Sequence, residues 1–143
     1  MTAPSIHAHE PVTTLPTSRM VITVIASALA TIAAWSAVTA LTGRTATIAS
    51  AAAGATLVTC TSILSLMVIQ PWKPRAMGTW ANLWLAALVG RLLFTPALAY
   101  LLYSATPLSL NPLMLSVAVT YVVVQISEAA AVAAHLHRIS ATS

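Results

Sequence analysis

Charged side chains are scarce in this chain of 143 residues. Only 6% are Asp, Glu, Lys or Arg, and just two of these are acids, Glu10 and Glu128. A soluble domain carries roughly a quarter charged residues, so there is too little charge here to cover a water-facing surface. A single cysteine, Cys60, excludes an internal disulfide and a multi-cysteine metal cage. Set in an apolar run, its thiol reads as a small hydrophobe. Paired-carboxylate chemistry is excluded too, because Glu10 lies in a polar leader far along the chain from Glu128. No nucleophile with a base, no Gly-rich phosphate loop and no zinc spacing occurs, so the sequence points away from an enzyme and implies no cofactor. The six cations, Arg19, Arg44, Lys73, Arg75, Arg91 and Arg138, are scattered. Without a clustered basic patch, a formal charge of +4 does not make a nucleic-acid surface.

Apolar residues are what the chain has in abundance: 59% of the sequence, with a mean hydropathy of +0.90. They fall into runs long enough to cross hydrocarbon of about 30 Å at 1.5 Å per residue. The expected fold is all-α, an integral membrane four-helix bundle, with lipid as its main surroundings. Spans are expected at 20–41, 45–69, 77–103 and 111–136, within a membrane domain of 19–138. Residues 1–18, with Pro4, Pro11 and Pro16 and no apolar period, read as a disordered tail, and 139–143 are expected to form a short C-terminal tail. His7 and His9 lie in the first tail with too few companions to hold a metal. An alternative for the first span is a signal peptide cleaved after Val38-Thr39-Ala40, but its apolar run is longer than such segments need.

Punctuation between the runs supports these limits. Gly43-Arg44 separates the first two spans, and Gln70-Pro71-Trp72-Lys73-Pro74-Arg75 has the makeup of an interfacial loop. Trp80 and Trp84 mark one end of the third span, Tyr100 and Tyr103 the other. Asn111-Pro112 reads as an N-cap followed by proline at the first helical position, and Pro96 is expected to kink the third helix. Arg19, Lys73, Arg75 and Arg138 would share one side, leaving Arg44 on the other, so both termini are expected to be cytoplasmic. The short turn before the fourth span makes the last two helices antiparallel neighbours. Ala46, Ser50 and Gly54 recur at four-residue steps, which suits ordinary close packing in the bundle or a dimer seam.

Two ionisable residues fall inside spans, Arg91 in the third and Glu128 in the fourth. A charge at mid-bilayer costs about 2.5–3.5 kcal/mol on insertion scales, so both need compensation. Arg91 stands 13 residues after Gly78 and Glu128 stands 10 before Arg138. Those separations put them about 20 and 15 Å from the same membrane face, within reach of each other on antiparallel helices. An intramembrane Arg91–Glu128 ion pair is therefore expected. Tyr121, Gln125, Glu128 and His135 recur at helical spacings as a polar stripe, and Thr95 lies one turn from Arg91. Such a stripe either lines a wet path for an ion or proton, or serves a pair that only fixes helix register. His135 and His137 at the membrane edge suit interfacial anchoring.

Gly90-Arg91-Leu92-Leu93 in the third helix and Tyr121-Val122-Val123-Val124-Gln125-Ile126-Ser127-Glu128 in the fourth resemble the ATP synthase protein I family. These are small four-helix bacterial membrane proteins encoded beside the F-type ATP synthase. The resemblance covers mainly Trp80 to His135, with size and topology. It implies a multi-pass protein of the bacterial plasma membrane that works with ATP synthase membrane subunits. The implied role is to help the ring of c-subunits assemble and to assist magnesium entry near the enzyme, with Arg91, Gln125 and Glu128 as the residues carried over. One intramembrane acid is thin for a magnesium route, since Mg²⁺ takes several oxygen ligands, so assembly or docking is favoured. A homo-oligomer would multiply Glu128. That is also the rival reading: a small oligomeric cation or proton transporter or channel centred on Glu128. A holin-like pore former is less attractive, for want of a strongly charged C-terminal tail.

Overall fold

The computed structural model describes residues 12–140. Four long helices follow one another: α1 (Thr17–Thr42), α2 (Ile48–Ile69), α3 (Met77–Ala105) and α4 (Leu110–Ser140). A 3₁₀ turn, Thr45–Thr47, leads into α2, and all four helices are long and apolar enough to cross a membrane. This is a multi-pass membrane protein. Both termini of the described chain and the loop after α2 gather at one end, with Arg44 and the turn between α3 and α4 at the other.

Each helix stops for a local reason. After α1, Gly43 takes a left-handed conformation, φ +71°, and its N–H closes back on Thr39 O. Gln70 caps α2 in the same way at φ 54°, its N–H donating to Leu66 O. Between α3 and α4 the chain turns over Thr106 to Ser109, and the Ser109 N–H donates to Ser50 Oγ on α2. Helix α4 begins at Leu110, one residue before the expected N-cap Asn111. Pro112 falls in its first turn, where a missing N–H leaves no intrahelical bond unmade. Pro96 removes one backbone donor from α3, yet the helix runs unbroken through it. Threonines inside the spans turn their hydroxyls back on the preceding turn, as Thr31 does to Ser27 O and Thr56 to Ala52 O, so they cost little in lipid.

The expected first tail is structured over the part that is described. Positions 1–11, including His7 and His9, lie outside the described residues, but 12–18 are docked. Val12–Thr13 (β1) pairs antiparallel with Arg75–Ala76 (β2), Val12 opposite Ala76. The Leu15 N–H donates to Pro71 O, Trp80 Nε1 donates to Thr13 O, and Leu15 is buried. Arg75 lies over the Trp80 ring at 5.6 Å. A polar, proline-bearing segment is thus held by backbone pairing and one tryptophan, none of which shows as apolar period.

Packing is densest where side chains are smallest. Helix α4 lies mainly against α2 and α1 and touches its sequence neighbour α3 more lightly. Along α2 the buried residues Ser50, Gly54, Val58, Ser62 and Leu66 recur every four residues. A Cβ on Gly54 would stand 2.9 Å from Leu113 O and 3.2 Å from Ser116 Cβ, so α2 and α4 come together there at backbone distance. Ser50 and Gly54 therefore serve the bundle itself, while Ala46 is exposed and precedes α2. Large apolar residues such as Ile22, Leu64, Phe94 and Ile126 point outward, as lipid permits. Cys60 is among the outward-facing residues.

Candidate functional site

The ion pair lies in the middle of the bundle. Arg91 is 4% exposed and Glu128 is 0% exposed. Arg91 Nη1 donates to both carboxylate oxygens, at 2.8 Å to Oε2 and 3.0 Å to Oε1, and also approaches Ser62 Oγ at 3.4 Å. Three helices thus meet at one nitrogen. Charge on each partner is compensated by the other, which is what two ionised groups at membrane depth require.

The bonding is lopsided. The carboxylate uses one nitrogen of the guanidinium fork, and Arg91 Nε and Nη2 are buried with no acceptor among the described residues. Gln125 Nε2 and Thr120 Oγ1 are likewise buried without a partner. Arg91 also lines two lipid-facing pockets. One, of about 340 Å³, opens between α3 and α4, and the other, of about 520 Å³, between α2 and α3.

The expected polar stripe divides. Tyr121 is close to the pair and donates its hydroxyl to Leu88 O at 3.3 Å. Gln125 is half-buried beside it. Thr95 is 1% exposed and meets Thr61 Oγ1 at 3.4 Å, tying α3 to α2. His135 does not join this group. It sits at the far end of α4, its Nε2 3.2 Å from Thr14 O, against the docked N-terminal segment. Spacing put it on the right face, but seven residues of rise separate it from Glu128 by about 10 Å.

The polar row that α4 does bury is a different one: Ser116, Thr120 and Glu128, at four-residue steps with Val124 between. Ser116 Oγ donates to Ala51 O at 2.6 Å, and Ser127 accepts from Ser27 Oγ at 3.0 Å. Ser62, Ser116 and Thr120 are the site residues the sequence reading missed. A repeat of four ending on Glu128, matched by Ser50, Gly54, Val58 and Ser62 on α2, was the available signal. Among the described residues no three His, Cys, Asp or Glu side chains come together.

Comparison of the chain with family models, with curated proteins and with solved structures finds no match.

Proposed function

We propose that this is a non-enzymatic accessory protein of the bacterial plasma membrane, with both termini cytoplasmic, that helps a larger membrane complex assemble. The rotor ring of the F-type ATP synthase is the complex that the α3 and α4 motifs resemble. One observation carries the choice of docking over transport: the intramembrane acid is fully buried and both its oxygens are held by Arg91. A carboxylate so engaged must break a buried pair before it can bind a passing cation. The broad apolar outer surface of α3, with Leu93, Phe94 and Leu101 exposed, supplies area for a partner helix in lipid. The orientation is supported by the four cations Arg19, Lys73, Arg75 and Arg138 at the end that carries the termini.

Deleting the gene and measuring c-subunit ring content in the membranes tests the specific reading. A fall in assembled ring, restored by the wild-type gene, is expected, whereas unchanged ring content would remove the ATP synthase from the proposal. The transporter reading is favoured by two buried Arg91 nitrogens, Nε and Nη2, that find no acceptor among the described residues, on a side chain that lines two lateral pockets. Proteoliposomes that move cations or protons, with flux abolished by Glu128→Gln, would establish that reading in place of assembly.

A further inference from the structure

We infer that the groove between α3 and α4, at the end carrying the termini, holds one acyl chain of an anionic phospholipid whose phosphate accepts from the Arg75 guanidinium. The groove has a volume of about 610 Å³. Trp84 and Leu88 on α3 and Val132 and Ala133 on α4 line it, with Leu15 and Trp80 at its outer end, and no charged residue is among its walls. Leu85 and Ala133, one on each helix, are exposed, so the groove opens sideways to lipid. An apolar gap left unfilled forfeits dispersion contacts along its lining, and a flexible chain restores them.

Length selects the occupant. Counted from Gly78, Trp80 and Leu88 lie about 3 and 15 Å along α3. The groove thus runs through one half of a hydrocarbon layer about 30 Å thick. It stops there, because Tyr121, which donates to Leu88 O at 3.3 Å, lines the separate pocket around Arg91. A partner helix crossing the membrane would need a seat along the full depth, whereas a chain from one leaflet needs only this half.

Charge selects the headgroup. The strand β2 leads straight into α3, and the Arg75 guanidinium carbon lies 5.6 Å from the centre of the Trp80 ring, which walls the outer end of the groove. Arg75 is only half-buried, and the exposed Arg19 and Lys73 stand at the same end. No carboxylate side chain answers these cations: Glu128 is the only acid among the described residues, and Arg91 holds it at 2.8 Å. A phosphodiester accepts paired bonds from arginine. A lipid of net negative charge also offsets the surrounding cations, which a zwitterionic one does not, and basic sites between helices at the membrane edge take such headgroups. The depths agree, since the phosphate stays at the edge of the hydrocarbon while its chain enters the groove.

The test uses the full chain with Trp35→Phe and Trp72→Phe, which confines tryptophan emission to Trp80 and Trp84. In phosphatidylcholine nanodiscs, phosphatidylglycerol or phosphatidylcholine brominated on one acyl chain is titrated. Bromine quenches tryptophan at contact, so emission reports a chain lying in the groove. Brominated phosphatidylglycerol should quench saturably, at a mole fraction at least about fivefold lower than brominated phosphatidylcholine. Arg75→Gln should remove that preference, and Ala133→Phe, which obstructs the groove, should reduce quenching by both lipids. The comparison of the two lipids decides without either variant, should one fold poorly. Equal quenching by both lipids overturns the inference, as does a preference that survives Arg75→Gln. Quenching by neither lipid means a groove closed to lipid chains, as when a second copy or another protein helix fills it, and overturns the inference too.

Discussion

Replacing Glu128 by leucine removes both acceptors of Arg91 Nη1 and leaves that nitrogen only Ser62 Oγ, at 3.4 Å. The guanidinium cannot reach water from a position 4% exposed. With charge centres about 4 Å apart and an effective dielectric near 20, the lost attraction is about 4 kcal/mol. Breaking a buried pair by removing one partner typically costs about 3–5 kcal/mol, the same range. Replacing both partners by apolar residues of similar volume is commonly neutral or stabilising. The double variant Arg91→Met/Glu128→Leu should therefore stand within about 1.5 kcal/mol of the native chain, a margin set by the worth of the bonds to Ser62 and nearby groups. The assay is reversible unfolding in mixed micelles, followed by far-UV circular dichroism, for both single variants and the double. A Glu128→Leu loss below about 1 kcal/mol, the scale of an exposed pair, would refute the burial and pairing on which the reasoning rests.

Other expectations follow from the packing. Gly54→Ala should cost about 1–3 kcal/mol in the same assay, because its Cβ would stand 2.9 Å from Leu113 O, whereas Gly90→Ala meets nothing within 4 Å and should be neutral or slightly stabilising. Ser116→Ala should cost about 0.5–1.5 kcal/mol through loss of the bond to Ala51 O, and a change under 0.2 kcal/mol would show that bond to be energetically idle. Trp80→Phe removes the donor to Thr13 O, and should speed proteolytic cleavage at 12–16 severalfold while leaving the helical signal unchanged.

The limits of the helices could be read from the sequence because lipid demands long apolar runs and the chain punctuates them with Gly43-Arg44, the Pro71–Arg75 loop and Asn111-Pro112. Which face of each helix turns inward could not. In lipid the outer surface is as apolar as the core, so Leu93 and Phe94 outside look no different from Leu66 and Leu113 inside. Only charge broke that symmetry. Arg91 and Glu128 had to find each other because nothing else could compensate them, and the same scarcity drew attention to them in the sequence. Ser62, Ser116 and Thr120 were hidden among many serines and threonines, several of which, such as Thr31 and Thr56, bond their own helix. The Tyr121–Gln125 stripe went wrong at His135 for lack of any sequence sign that Thr14 would be folded back beside it. That docking depends on Trp80 and Pro71, contacts between segments far apart in the chain.

Scarcity of charge also makes the central contact directly measurable. The chain has two acids, both glutamates, and five arginines, so ¹³Cδ-glutamate with ¹⁵N-arginine labelling in bilayers gives very few pairs to distinguish. Glu10→Gln leaves Glu128 as the only labelled acid. With Arg91 Nη1 2.8 Å from Glu128 Oε2, the Glu128 Cδ must lie within about 4 Å of that nitrogen, and rotational-echo dephasing should be strong and vanish in Arg91→Lys. A Glu128 signal that is not dephased by any arginine would mean that the two charges do not meet in the membrane.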